Sequence, residues 1–150
     1  MSALRLEELS AATIVAVNTL GLKPGQEQFI TPVSYAAAAA VTPAHTAWQR
    51  VVLSDDRVVG FIHGNFDPGA THEEFRAALW RINVDADAQG KGVGTFAVSA
   101  LIDEARKRSV ERLTVLWERG EDGPEEFFLH IGFVPVGETP YGEVIGAIAL

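Results

Sequence analysis

The sequence has no cysteine. That excludes a disulfide framework, a thiolate nucleophile and a cysteine-built metal centre, and no metal site is expected. No run approaches the roughly 18 apolar residues of a membrane span. The opening residues 1–8 lack the basic-then-apolar pattern of a secretory leader. A soluble, cytoplasmic protein that does not contact membrane is therefore expected. Positive charge is also scarce. Twelve Lys and Arg stand against 20 Asp and Glu, for a formal net charge of −8. Residues 113–150 hold seven of the acids and a single base, Arg119. Nucleic-acid binding needs the opposite sign, whereas an acidic surface suits either a cationic small substrate or simple solubility. The 150 residues are 47% hydrophobic and 21% charged. This predicts one domain over 1–150 with a substantial core.

The order of elements follows from periodicity and punctuation. Ala3–Leu6 alternates as a short strand. Leu9, Ala12, Thr13, Ala16, Val17 and Leu20 have helical spacing and predict a helix over about 7–20, stopped by Gly21 and Pro24-Gly25. Thr31-Pro32 can open a second, alanine-rich helix over 33–41. Two β-rich runs, 48–54 and 58–64, surround Asp55-Asp56-Arg57 and read as a hairpin. A loop over 67–74 leads to a strand over about 75–85. A helix over 93–108 should bury Val93, Phe96, Ala97, Ala100, Leu101 and Ala105, with Arg106, Lys107 and Arg108 at its C-terminus. A strand over 112–117 precedes a short helix from Pro124 to about His130, closed by Gly132. Strands over 133–136 and 143–149 finish the chain. The order βααβββαβαββ predicts an α+β, three-layer fold. Its sheet is mixed and mainly antiparallel, with six to seven strands and about four helices on its two faces.

Between the strand over 75–85 and the next helix lies Gln89-Gly90-Lys91-Gly92-Val93-Gly94. Three glycines in five residues let backbone approach a ligand, and a helix N-terminus adds a favourable field for phosphate. A Walker loop would need Ser or Thr after Gly-Lys, and here Gly92 follows. A dinucleotide fingerprint would need a third glycine where Thr95 stands; Glu118 lies at a suitable distance for its acid, but the preceding hairpin is out of place. The pattern Gln/Arg-x-x-Gly-x-Gly/Ala is filled completely. With it stand Leu79-Trp80-Arg81-Ile82-Asn83-Val84-Asp85, Val58-Val59-Gly60-Phe61 and Phe127-Phe128-Leu129-His130-Ile131-Gly132-Phe133. In these residues the chain resembles the GNAT superfamily of acyl-CoA-dependent N-acyltransferases. Residues 25–32, 123–128 and 137–144 further resemble its bacterial diamine or spermine/spermidine acetyltransferase-like branch.

The resemblance implies acetyl-CoA as co-substrate and direct transfer of acetyl to a primary amine of a small, cationic, polyamine-like acceptor. It implies that the backbone of Gln89, Gly90, Lys91, Gly92, Val93 and Gly94 holds the pyrophosphate, with Thr95 adding a hydroxyl. Ile82, Asn83 and Val84 would pair with the pantetheine arm, and an N–H there could face the thioester carbonyl and stabilise an oxyanion. Homodimers are common in the superfamily, although no dimer seam is legible here.

The catalytic half departs from the family. Its "FYxxxGF" motif carries a tyrosine that protonates the leaving thiolate, and Phe128 occupies that position. This motivates two alternatives to a small-molecule enzyme: a non-catalytic acyl-CoA-binding module, and acetylation of a protein N-terminus or lysine. No catalytic residue is fixed by the sequence. Glu27, in a segment that passes the acceptor site in relatives, is a candidate base or a solvated loop acid. Glu138 and Glu143 flank the last hairpin as groove acids or cross-strand partners. Tyr141 is an alternative phenol or a turn aromatic. Asn83 reads as a ligand contact or a satisfied strand residue, and His63 as a buried, hydrogen-bonded histidine or a base. His130 falls on a different side of its helix from Phe128. Trp48, Trp80 and Trp117 read as packing residues, with Trp80 also able to line the groove. Arg81 and Asp85 share a face by period two and are expected to pair.

Overall fold

The computed structural model describes residues 3–18, 46–120, 123–140 and 142–150. Seven strands form one sheet in the order β1-β2-β3-β4-β5-β7-β6. They are β1 (Leu4–Glu8), β2 (Ala47–Ser54), β3 (Arg57–Phe66), β4 (Ala77–Val84), β5 (Arg112–Trp117), β6 (Val134–Glu138) and β7 (Val144–Ala149). Three helices are described: α1 (Ala11–Asn18), α2 (Val93–Lys107) and α3 (Glu125–Ile131). The α+β architecture expected from the element order is present. The expected helix over 33–41 lies outside the described residues.

The first helix starts later than its periodicity suggests. Glu7 and Glu8 belong to β1, opposite Val51 and Arg50 of β2. Strand pairing satisfies their backbone groups, so the helix begins beyond them. Ser10 opens it: the Ser10 carbonyl accepts from Ile14 N–H at 2.9 Å, and Thr13 Oγ1 accepts from Ser10 N–H at 3.0 Å. This side-chain cap replaces an absent turn of helix. The loop expected over 67–74 ends in a short 3-10 turn, Glu73–Phe75.

Each face of the sheet carries its own apolar cluster. Beneath α2, Val52, Ile62, Leu79, Leu113 and Val115 meet Val93, Ala97, Val98, Leu101 and Ala105. Val98 joins the expected buried set of α2, while Phe96 and Ala100 are only half-buried. Beneath α1, Val17 packs on Val51, Leu53 and Phe61. Trp48 and Trp117 are buried, as packing residues should be, but Trp80 is 39% exposed. Close approach of α2 to the sheet depends on Gly64, where an added Cβ would lie 2.4 Å from Leu101 Cδ1. Gly64→Ala should therefore cost about 1–3 kcal/mol by overpacking, and Leu101→Ala about 2–5 kcal/mol by leaving a cavity. The double variant should lose less than the sum in urea denaturation, because each change relieves the other; strict additivity would show that this contact does not set the helix–sheet spacing.

Candidate active site

The site begins with a fault in the sheet. Along β3, His63 faces Arg81 and Gly64 faces Leu79, so Trp80 of β4 has no opposite number. This is a β-bulge, which bends its strand and sharpens its twist. On its other edge β4 runs parallel to β5 and pairs only at Ala78↔Thr114 and Leu79↔Val115. Past Trp80 the two strands diverge, although β4 continues to Val84 and β5 to Trp117. Residues 80–84 therefore present a main-chain edge to the gap with no strand opposite it. The gap opens into a cleft of about 800 Å³.

At one end of the cleft is the glycine loop. It leaves β4 through a 3-10 turn, Ala86–Ala88, that buries Ala88. Gln89 Nε2 donates to the Val84 carbonyl at 3.0 Å and ties the loop to the strand end. Gly90 and Gly92 hold φ of +78° and +86°, and nothing lies within 4 Å of where a Cβ would stand on either. Both adopt left-handed backbone that other residues enter at a cost, beside open space. Gly94 serves packing instead. A Cβ there would meet the Phe127 ring at 2.9 Å, so its hydrogen lets α2 and α3 touch. The first helical bond of α2 runs from Phe96 N–H to the Gly92 carbonyl at 2.9 Å. The N–H groups of 93–95 then have no carbonyl one turn back, and the positive end of the helix dipole lies beside them. Lys91 and Thr95 are exposed at this end. An open strand edge continuous with an anion-binding helix start fits a ligand with amides at one end and phosphates at the other.

The walls are apolar with few charges. Phe75, Trp80, Phe127 and Phe128 line the cleft. Phe128 is 3% exposed and stacks on Trp117 at 5.5 Å, with Phe127 and Phe133 edge-on at 5.3 and 5.8 Å. The aromatic stack offers no proton donor at that position. The charged lining residues are Arg81 on β4 and, across the gap, Glu118 and Glu143 beside the paired Trp117 and Val144. Thr139 Oγ1 donates to Glu143 Oε1 at 3.2 Å.

Other candidates fall differently. Glu138 is ion-paired with Arg119 at 2.7 Å and does not line the cleft. Glu27 and Tyr141 lie outside the described residues. The expected Arg81–Asp85 pair does not form. Arg57, from the start of β3, takes Asp85, and Arg81 Nε instead donates to Asn83 Oδ1 at 3.0 Å. Asn83, 5% exposed, thus has its side-chain oxygen satisfied within its own strand. Among the described residues, no cluster of three or more His, Asp or Glu is placed to hold a metal ion, and no helix is long and apolar enough to cross a membrane. The cleft's Trp80 bulge is not legible in the sequence, where Ala77-Ala78-Leu79-Trp80 is an unbroken apolar run; in the structure Ala77, Ala78 and Leu79 are buried consecutively instead of alternating.

His63 is 3% exposed and stacks against Trp80 at 6.1 Å. Its Nδ1 lies 3.4 Å from Gln49 Nε2, and its Nε2 is buried with no partner. Burial, and then the charge of Arg81, push its pKa down to about 4. It is therefore neutral at pH 7 and a weak base.

The Acetyltransferase (GNAT) family model matches residues 20–133. The chain belongs to the GNAT acetyltransferase family, and its class of activity is N-acetyl transfer from acetyl-CoA. The same fold is found in the ribosomal-protein-S18-alanine N-acetyltransferase from Escherichia coli (19% identity, TM-score 0.70, covering 98% of this chain and 94% of that one). It is found in the PaiA N-acetyltransferase from Thermoplasma acidophilum in complex with coenzyme A (12%, 0.73, 99% of both). It is also found in an aminoglycoside 6′-N-acetyltransferase complexed with coenzyme A (15%, 0.72, 97% of this chain and 96% of that one). At such identities the likeness is one of fold. A search of curated proteins finds no match.

Two measurements bear on this geometry. Gly92→Ala forces a left-handed alanine at a cost of roughly 1–2 kcal/mol and should weaken acetyl-CoA binding about tenfold by calorimetry. For His63, the unfolded chain binds the extra proton below its ordinary pKa of 6.5, whereas the folded chain resists until about 4. Its contribution to stability is therefore complete above pH 6.5 and is lost as pH falls toward 4, by up to about 3 kcal/mol. His63→Gln should flatten the stability–pH curve across that window relative to the parent protein, read from urea midpoints.

Proposed function

We propose that the protein, as one domain over 1–150, transfers acetyl directly from acetyl-CoA to a primary amine of a small molecule in the cleft between β4 and β5. The observation that carries this is the continuity of the open β4 edge with the Gly90–Gly92 cradle. The backbone of Gln89, Gly90, Lys91, Gly92, Val93 and Gly94 would hold the pyrophosphate, with Thr95 offering a hydroxyl. The main chain of Ile82, Asn83 and Val84 would hold the amides of the pantetheine arm. The bound co-substrate supplies the thioester.

Two proton transfers fall to this chain's own groups. The attacking amine must lose a proton, and Glu143, half-buried on the cleft wall with one oxygen held by Thr139, is the acceptor we assign, directly or through one water. Phe128 cannot donate, so the leaving thiolate takes its proton from water. Thiols are tolerable leaving groups near neutral pH, because their pKa lies not far above it. The dry aromatic stack behind Phe128 excludes water from the far wall and shapes the cleft instead. Glu118 and Glu143 would attract the acceptor's ammonium; of the polyamine-like acceptor that the resemblance implies, they support this one amine only.

Calorimetry with acetyl-CoA and amine-dependent release of free thiol test the reading; absence of binding at millimolar acetyl-CoA overturns it. Glu143→Gln should lower kcat about 100-fold, with acetyl-CoA affinity unchanged.

A further inference from the structure

Arg81 is the only cation among the described residues lining the cleft. Its Nε is bound to Asn83 Oδ1, while its Nη1 is buried with no partner. No acid among the described residues pairs with it; Asp85, the acid expected to, is engaged by Arg57. Its cross-strand neighbour is His63, a neutral ring, and the Phe61 ring lies 5.8 Å from its guanidinium carbon. Burial pushes its pKa down only to about 10, so it remains charged at neutral pH. A cation partly withdrawn from water without an anion beside it is costly, and an anionic ligand group would offset that cost.

The coenzyme's phosphates are poor candidates for that anion. They belong at the glycine loop, and Arg81 precedes Val84 by three residues of extended strand, roughly 10 Å. The pantetheine arm that lies between is uncharged. Arg81 instead stands beside the Trp80 bulge, where β4 leaves β5, with Glu118 and Glu143 on the opposite wall. One wall offers a positive group and the other offers two negative ones. A polyamine would set a second ammonium against Arg81.

We infer that the acceptor is an amino-carboxylate: a small molecule whose carboxylate pairs with Arg81 while its amine faces Glu118 and Glu143. This rests on the acetyl-transfer reading above. In the step it implies, an N–C bond forms between the amine nitrogen and the acetyl carbon as the C–S bond breaks. The amine's proton goes to Glu143 or water, and coenzyme A leaves as thiolate. With Nε held by Asn83 and Nη1 buried, Nη2 is the group left to donate to the carboxylate in a charge-assisted hydrogen bond.

The test uses the wild-type protein and matched acceptors that differ only in the carboxylate: L-lysine against cadaverine, L-phenylalanine against phenethylamine, and the remaining amino acids, with spermidine alongside. The best amino acid should exceed its carboxylate-free partner by about 100-fold in kcat/KM. Arg81→Gln should raise the KM of that amino acid by a similar factor and collapse the ratio, with the Kd for acetyl-CoA within about twofold of wild type; Arg81→Lys should restore part of the preference. Equal or better use of cadaverine, phenethylamine or spermidine overturns the inference, and so does an Arg81→Gln variant that keeps the ratio. If no amine is turned over, calorimetry of the same pairs on protein saturated with coenzyme A decides: binding that ignores the carboxylate, or no binding of any amino acid, overturns it. Failure to bind acetyl-CoA is a separate outcome and sinks the acetyl-transfer reading instead.

Discussion

Strand β4 is held along one edge and released along the other, and the rest of the molecule follows from that. Seven register pairs fix it to β3, and two pairs tie it to β5 before the bulge at Trp80 turns it away. Unpaired main-chain groups are expensive when buried, so a sheet keeps such an opening only where something else completes the hydrogen bonds. Here the opening runs directly into a loop whose two left-handed glycines expose a helix start. The fault in the sheet and the start of α2 therefore form a single elongated cleft, with an open strand edge along it and the first-turn N–H groups of α2 at one end.

The walls of that opening are kept apart by packing. Trp117 of β5 sits where a Cβ on Gly146 of β7 would lie 2.4 Å from its ring, and Phe128 stacks on the same indole. Trp117 Nε1 donates to Glu125 Oε2 at 2.7 Å and so anchors the first turn of α3. Gly94 brings α2 against Phe127 of α3. In this arrangement Phe128 is part of a wall, and the carboxylates of Glu118 and Glu143 line the cleft elsewhere. Charge is likewise divided by the fold. Most arginines near carboxylates are spent in exposed pairs such as Arg5–Glu7 and Arg106–Asp103, each worth little. Arg81 alone among the described lining residues carries positive charge into the cleft.

Much of the fold is legible in the sequence because its signals are local. The spacing of Val93, Ala97, Leu101 and Ala105 specifies a helix that buries one face, and Gly132 ends α3 with φ of +126°. Periodicity alone places the start of α1 too early, because pairing of Glu7 and Glu8 with β2, a contact across more than 40 residues, outweighs it. Arg81 and Asp85 have the spacing of a pair, yet Asp85 is taken by Arg57, which the β2–β3 turn delivers from elsewhere. Glu138 and Glu143 look equivalent in sequence, five residues apart in one hairpin. The fold sends one to Arg119 at the sheet's edge and the other to the cleft.

The sequence by itself determined the glycine loop between β4 and α2. Glycine spacing, a preceding strand and a following helix are short-range, and they dictate backbone conformation wherever the segment lies. Only the tertiary structure decided the cleft and the charges that line it. A bulge arises from mismatch between two strands, a cleft from the divergence of two others, and the standing of Arg81, Glu118 and Glu143 from which opposite charges reach them. Those are relations between distant segments, and no local pattern in either partner encodes them.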